Sequence, residues 1–306
     1  MIVSETRRKG IDMEQVSTGF IGLGVMGEPM CRNLRLRSGK RVLAFDLNSD
    51  PLQRLATEGI ETAQSAGEVM RECEVVFVSM PSGKELAALA HGADGLLQHT
   101  RPGQVLVDLG TSPVSLTREL AAEFTSSGVA YLDAPVARTR QAAESGTLAV
   151  MVGGDATVLE AVRPLLACFA SDITHCGGVG SGQVTKILNN MVLFQTVTAL
   201  SEAYAIARGA DVDPQVLFDA LSKGSADSFA LRNHGMKAIL PREFPSRAFP
   251  VNYAKKDLEY ALDLAAESGV EADGARNVLR LFTQAIEAGV GEQYFPVVSR
   301  ILNREI

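Results

Sequence analysis

The sequence predicts an α/β chain in two parts, a doubly wound sheet followed by an all-α C-terminal domain, joined by a long interdomain helix. Three observations predict it. Short β-rich apolar runs alternate with helical stretches through the first 176 or so residues, the pattern of a mostly parallel sheet with helices on both faces. Beyond Cys176 the run Gly177-Gly178-Val179-Gly180-Ser181-Gly182 breaks that rhythm, and no further strand pattern follows. At 306 residues the chain also exceeds what a single core usually supports.

The expected strands are 18–21, 41–45, 74–79, 105–109, 129–132 and 148–152, punctuated by Gly, Pro and Asp. A helical pattern over 183–208 contains no Pro or Gly and is long enough to reach from one domain into the next. Further helices are expected at 214–222, 254–268 and 275–288, each followed closely by Gly, which suits a C-terminal cap. The domains are then a polar N-terminal extension (1–16), a doubly wound sheet domain (17–180) and an all-helical C-terminal domain (181–306). Residues 1–16 mix Arg7, Arg8 and Lys9 with Glu5, Asp12 and Glu14 and lack the apolar core of a secretory signal.

Composition narrows the function classes. Hydrophobic residues make up 46% and charged residues 21%, as in soluble globular domains, and no apolar run is long enough to span a bilayer. A net charge of −7 argues against a nucleic-acid surface, so any anionic ligand must be held by local donors. Cys31, Cys73, Cys168 and Cys176 show no C-x-x-C spacing and the four histidines are scattered, so no metal site is expected. A reducing, cytoplasmic setting fits best.

Gly22-Leu23-Gly24-Val25-Met26-Gly27 follows the first strand directly and opens a helical stretch. In that context G-x-G-x-x-G binds a dinucleotide: a side chain at Gly24 obstructs the pyrophosphate, Gly27 permits close helix–strand packing, and the helix N-terminus offers free N–H groups to the negative charge. Without a ligand the same glycines make only a tight turn. Asp46 decides between these, because it ends the next strand, 19 residues after Gly27, where a Rossmann-type carboxylate receives the ribose hydroxyls and repels a 2′-phosphate. The cofactor expected is NAD. Gly177 and Gly182 have the glycine spacing of a phosphate-binding P-loop, but Gln183 and Val184 stand where Lys and Ser/Thr are required.

The long helix carries Gln183, Lys186, Asn189 and Asn190 as one polar stripe on an otherwise apolar segment. A solvated face at the helix start is the plain reading. Against it, two adjacent asparagines inside a helix cost stability that packing alone does not require. The chemical reading makes Lys186 the general acid/base toward a carbonyl or hydroxyl oxygen, its pKa lowered by partial burial, with Asn190 orienting the lysine or the substrate oxygen.

These residues resemble the β-hydroxyacid dehydrogenase family, which includes 3-hydroxyisobutyrate dehydrogenase and tartronate semialdehyde reductase. The resemblance spans nearly the whole chain from Gly19. It rests on Gly19 to Met30, on Asp133-Ala134-Pro135-Val136, on Gly146-Thr147-Leu148 with Met151-Val152-Gly153-Gly154, on Gly180-x-Gly182-x-x-x-Lys186-x-x-Asn189-Asn190, and on Lys256-Asp257-Leu258. It implies a small anionic 3-hydroxy acid as substrate, Lys186 as the catalytic residue, and Asn189 and Asn190 beside the substrate. It further implies Met80, Pro81 and Thr111 against the cofactor, Lys256 near the nicotinamide, and a homodimer or homotetramer built through the helical domain.

Two departures stand out. Most members carry Ser-Gly-Gly after Pro-Val, whereas this chain has Ala137-Arg138-Thr139, a triplet similar to that of sulfolactaldehyde reductases. Arg138 is therefore expected to clamp an anionic group, with Thr139 adding a hydroxyl, and a sulfonated aldehyde is the alternative substrate. Leu193 stands where those enzymes carry serine. The loop Asp108-Leu109-Gly110-Thr111-Ser112-Pro113 is one residue shorter than the family's usual one. A rival from another class is a dinucleotide-binding interaction protein that has lost catalysis; the joint presence of Lys186 and Asn190 argues against it.

Overall fold

A computed structural model describes residues 16–246 and 248–306. The polar extension expected at 1–16 lies, apart from Val16, outside them. The chain divides into two compact units, with the division after Lys186, inside a long helix.

The first unit is built on a nine-stranded sheet. Its first part alternates strand and helix: β1 (Thr18–Ile21), α1 (Gly27–Ser38), β2 (Val42–Phe45), α2 (Ser49–Ala56), β3 (Glu61–Thr62), α3 (Ala66–Glu72), β4 (Val75–Val78), α4 (Gly83–His91), β5 (Val105–Asp108), α5 (Val114–Ser126) and β6 (Ala130–Asp133). These six strands are parallel in the order β3-β2-β1-β4-β5-β6. The chain thus winds outward from β1 in one direction and from β4 in the other, leaving a crevice at the C-terminal ends of β1 and β4, where such sheets bind ligands. Next come β7 (Val136–Ala137), α6 (Arg140–Ser145), β8 (Leu148–Gly153), α7 (Ala156–Leu166) and β9 (Ala170–Gly177). β8 runs antiparallel to β6 and β7 and parallel to β9.

The central strands are continuous apolar runs because both faces are covered. Phe20, Val75, Phe77, Val105 and Val107 point into one core, and the alternate residues Ile21, Val76, Val78 and Leu106 into the other. Helix starts follow local chemistry. Asn48, Ser65, Ser82 and Asp155 each accept a backbone N–H in the first turn of α2, α3, α4 and α7.

The long helix, α8 (Ser181–Gly209), has 29 residues. After it come α9 (Pro214–Leu221), a π-helical segment (Leu231–Ile239), α10 (Val251–Glu267), α11 (Asp273–Glu287) and α12 (Val298–Leu302). In the second unit Phe194 packs edge-to-face on Phe282 and Phe295, with ring centroids 5.4 and 5.1 Å apart. α11 shows why its sequence reads as a helix: Ala275, Val278, Leu281, Phe282 and Ala285 fall on one face, and all are buried.

β3, β7, β9, the π-helical segment and the short α12 fall outside the elements the sequence predicts. β9 leaves no apolar run because Ala-Ser-Asp-Ile-Thr-His-Cys-Gly is a polar, half-exposed strand that, among the described residues, pairs with β8 alone. β3 and β7 have two residues each, too short for a pattern. The π-helical segment contains Arg232, Asn233 and Gly235, which blur any apolar period.

Candidate active site

The crevice is lined first by the glycine turn. Gly22 has φ +91°, and a Cβ there would lie 2.3 Å from the Ser79 carbonyl oxygen and 2.6 Å from Met80 Cε. The turn therefore presses against the start of the β4 loop that carries Met80 and Pro81. At Gly27 a Cβ would meet the Gly22 carbonyl oxygen at 1.9 Å, so the helix enters as close to β1 as a backbone can. Above Gly24 the space is open, with nothing within 4 Å of a Cβ direction. No side chain caps α1. These features fit a pyrophosphate approaching the helix N-terminus.

Asp46 follows β2 directly. Its Oδ2 accepts the Leu23 N–H at 2.5 Å and its Oδ1 accepts the Asn48 N–H at 2.7 Å. The carboxylate thus fixes the glycine turn, and each oxygen still has a second acceptor position for a ribose hydroxyl. Leu47, next in sequence, is fully exposed, and no basic residue follows before Arg54, which pairs with Glu28. Val25 is exposed while Leu23 is buried, so the turn points only part of its side chains outward.

The C-terminal ends of β5 and β6 carry two buried aspartates in register, Asp108 and Asp133. Asp108 Oδ1 accepts the Gly110 N–H at 2.9 Å, shaping the loop that holds the buried Thr111. A Cβ on Gly110 would lie 3.0 Å from the Met80 carbonyl oxygen, so this loop adjoins Met80. Asp133 accepts N–H groups from Gly180 at 2.8 Å and Gln183 at 2.9 Å, tying β6 to the start of α8. Burial pushes its carboxyl above the usual range, and those backbone donors act the other way.

Lys186 lies one turn further along α8 and is buried, as is Gln183. In the second unit Asn190 is buried and its Nδ2 donates to Asp257 Oδ2 at 2.7 Å, while Asn189 is exposed and donates to Asn190 Oδ1 at 3.1 Å. Asp257 is itself buried, with Lys256 Nζ 3.2 Å from its Oδ1. Lys256 also sits over the Tyr253 ring, 4.1 Å from its centroid. Asp257 is the residue that side-chain reasoning passed over. Its signal was the Lys256-Asp257-Leu258 motif, in which only the lysine was given a role.

Arg138 departs from expectation. Its Nη1 donates to the Thr147 carbonyl at 2.6 Å and to Ser171 Oγ at 2.9 Å, and its Nη2 pairs with Asp172 Oδ2 at 2.8 Å. The guanidinium is engaged by this chain's own groups, so it does not present the free fork that an anion clamp requires. The backbone at Arg138 has φ +86°, a conformation that glycine adopts without strain. Ala137 beside it is buried in β7, and Thr139 precedes α6 without capping it through its side chain. Among the described residues no cluster of His, Cys, Asp and Glu suits a metal ion.

Residues 17–178 match the NAD binding domain of 6-phosphogluconate dehydrogenase, and residues 180–301 match the NAD-binding domain of NADP-dependent 3-hydroxyisobutyrate dehydrogenase. The chain belongs to the β-hydroxyacid dehydrogenase family. It is 30% identical to 2-(hydroxymethyl)glutarate dehydrogenase of Eubacterium barkeri, over 94% of this chain and 95% of that one. It is 32% identical to the NAD-dependent L-serine dehydrogenase of Pseudomonas aeruginosa, over 95% and 98% of the two chains. A solved structure of 3-hydroxyisobutyrate dehydrogenase from Mycobacterium tuberculosis with L-serine superposes with a TM-score of 0.86 at 31% identity, covering 94% of this chain and 99% of that one. The chain is thus an NAD-dependent hydroxyacid dehydrogenase, acting on a CH–OH group, with a Rossmann-type sheet and a helical C-terminal region. Among the described residues no helix is long and apolar enough to cross a membrane.

Proposed function

We propose that this enzyme interconverts a small anionic 3-hydroxy acid and its semialdehyde, with Lys186 as the general acid/base. The observation that carries this reading is the burial of two polar side chains of α8, Lys186 and, four residues on in sequence, Asn190, whose amide is held by a buried carboxylate. A purely structural helix has no use for that arrangement, because each buried polar group must be satisfied at a cost in partners.

When bound, NAD supplies the hydride acceptor or donor at its nicotinamide. Gly22, Leu23, Gly24, Val25, Met26 and Gly27 would hold the pyrophosphate, Asp46 the ribose, and Met80, Pro81, Thr111 and Lys256 the remainder. In oxidation the neutral Lys186 Nζ takes the hydroxyl proton as the C–H hydride leaves; in reduction the ammonium returns it to the carbonyl oxygen. Asn190, its Nδ2 directed by Asp257, and Asn189 present amide groups to the substrate. Ala137, Arg138 and Thr139 form the substrate loop through their backbone, since the guanidinium is engaged elsewhere.

The relatives support a small substrate, since two of them are dehydrogenases of L-serine and 2-(hydroxymethyl)glutarate, both 3-hydroxy acids. A homo-oligomer is part of the reading: Leu188, Val192 and Ile206 lie exposed along α8 as an apolar stripe on the second unit. The free thiols of Cys31, Cys73, Cys168 and Cys176 suit the cytoplasm.

The test is initial-rate NAD reduction on a panel containing L-serine, 3-hydroxyisobutyrate and 2-(hydroxymethyl)glutarate, and NADH oxidation on the matching semialdehydes. Saturable turnover of at least one pair is expected. No turnover on any 3-hydroxy acid or semialdehyde would overturn the substrate class.

A further inference from the structure

Gln183 belongs to the polar stripe of α8, but no step of the proposed chemistry uses it. It is completely buried. Its side-chain Oε1 accepts the Ser112 N–H at 3.1 Å and its Nε2 donates to the Gly110 carbonyl at 2.9 Å. The amide therefore grips the backbone on both sides of Thr111, one group before it and one after. Nε2 also lies 3.5 Å from Asp108 Oδ2, the carboxylate whose other oxygen holds the Gly110 N–H. The Gln183 backbone N–H in turn donates to Asp133 Oδ2 at 2.9 Å. One residue in the first turn of α8 thus joins the β5 loop to the end of β6.

Only a primary amide of this length can do so. Glutamate keeps the acceptor but loses the donor and sets a second charge toward Asp108; methionine keeps the shape and loses both functions. Lys186 follows three residues later on the same rigid helix, about 4.5 Å along its axis. The loop bearing Thr111 and the helix bearing Lys186 are therefore locked to one another by a side chain that touches neither reacting group.

We propose that Gln183 is a positioning residue that clamps the cofactor-side loop around Thr111 to the first turn of α8 and so fixes that loop relative to Lys186. The proposal rests on the reading of Lys186 as the acid/base and of Thr111 as a cofactor contact. Proton transfer and hydride transfer must be aligned together, and a misplacement of about 1 Å costs on the order of 100-fold in rate.

The test compares the unaltered protein with Gln183→Met and Gln183→Glu. Thermal melting checks folding, amide hydrogen exchange reads Gly110 to Ser112, fluorescence titration gives NADH affinity, and steady-state rates give kcat and KM. In Gln183→Met, exchange at the Ser112 amide is expected to accelerate at least about tenfold as its acceptor disappears. With it, kcat is expected to fall about 10- to 100-fold while substrate KM stays within roughly threefold. Gln183→Glu retains the acceptor, so Ser112 protection is expected to survive better than in the methionine variant while kcat still falls, and it serves if that variant does not fold.

Normal kcat in either folded variant overturns the positioning role. Unchanged Ser112 exchange together with unchanged NADH affinity in Gln183→Met overturns the clamp itself. Absence of turnover in the unaltered protein counts against the hydroxy-acid reading and leaves the clamp to be decided by exchange and NADH affinity, which need no substrate.

Discussion

Asn190 and Asp257 are joined by a 2.7 Å hydrogen bond between two buried side chains 67 residues apart in sequence. The carboxylate accepts from Nδ2, which fixes which end of the amide is the donor and leaves Oδ1 to face Asn189. Asp257→Asn removes that directionality, since an amide can receive or donate, and it also removes the charge facing Lys256. Turnover in Asp257→Asn is expected to fall about tenfold or more, with NADH binding within a few-fold of the unaltered protein. Normal kcat would show that Asn190 does not need its partner.

Asp46 holds the Leu23 N–H and, in the proposed function, the ribose, and one substitution probes both. Replacement by Ser removes the charge that repels a 2′-phosphate, so the ratio of kcat/KM for NADP over NAD is expected to rise by about 10- to 100-fold. Loss of the acceptor for Leu23 N–H should also loosen the turn and lower affinity for both cofactors. A ratio that does not move would mean that the ribose is read elsewhere.

Arg138 combines a left-handed backbone with an ion pair to Asp172 that is partly exposed. Arg138→Gly relieves about 1 kcal/mol of backbone strain and loses a solvent-screened ion pair, so stability is expected to change little. Because the guanidinium is engaged, KM values for a monocarboxylate, a dicarboxylate and a sulfonate are expected to change in parallel. A selective rise in the sulfonate KM of about tenfold would show instead that the arginine leaves Asp172 to hold substrate.

His234 gives a pH signature. It is buried in the π-helical segment with Tyr294 on its Nδ1, and burial, with Lys237 adding to it, lowers its pKa from 6.5 to about 4. Because the folded value is the lower one, the stabilisation is complete above 6.5 and is lost as pH falls toward 4, by about 2 kcal/mol at pH 5. Urea unfolding at pH 7 and pH 5 measures the slope. His234→Phe should flatten it by that amount, even if the variant is less stable throughout; an equal slope would place the acid sensitivity in other groups.

The parts of this protein that sequence made legible are those whose causes are local. Gly22 to Gly27, Asp46 and the strands of the central sheet were readable because a tight turn, an acid at a strand end and a run buried on both faces each leave a short-range mark. β9 left none, being a polar strand with exposed residues. The partners that give the site its geometry are remote: Gln183 reaches Ser112 and Gly110, 71 and 73 residues away, and Asp133 reaches Gly180 across 47. Residue types at helical spacing showed that Gln183, Lys186 and Asn190 share a stripe, but not that Gln183 faces backward to a loop. Arg138 shows the converse: its guanidinium is held by Ser171, Asp172 and the Thr147 carbonyl, none of which the loop's own sequence reveals.

The most direct test is the kcat of Lys186→Ala on the best substrate of the panel, with NADH affinity measured in parallel. A loss of about 100- to 10,000-fold in kcat with NADH affinity retained is the expected result. Turnover within a few-fold of the unaltered enzyme would contradict the assignment of proton transfer to Lys186.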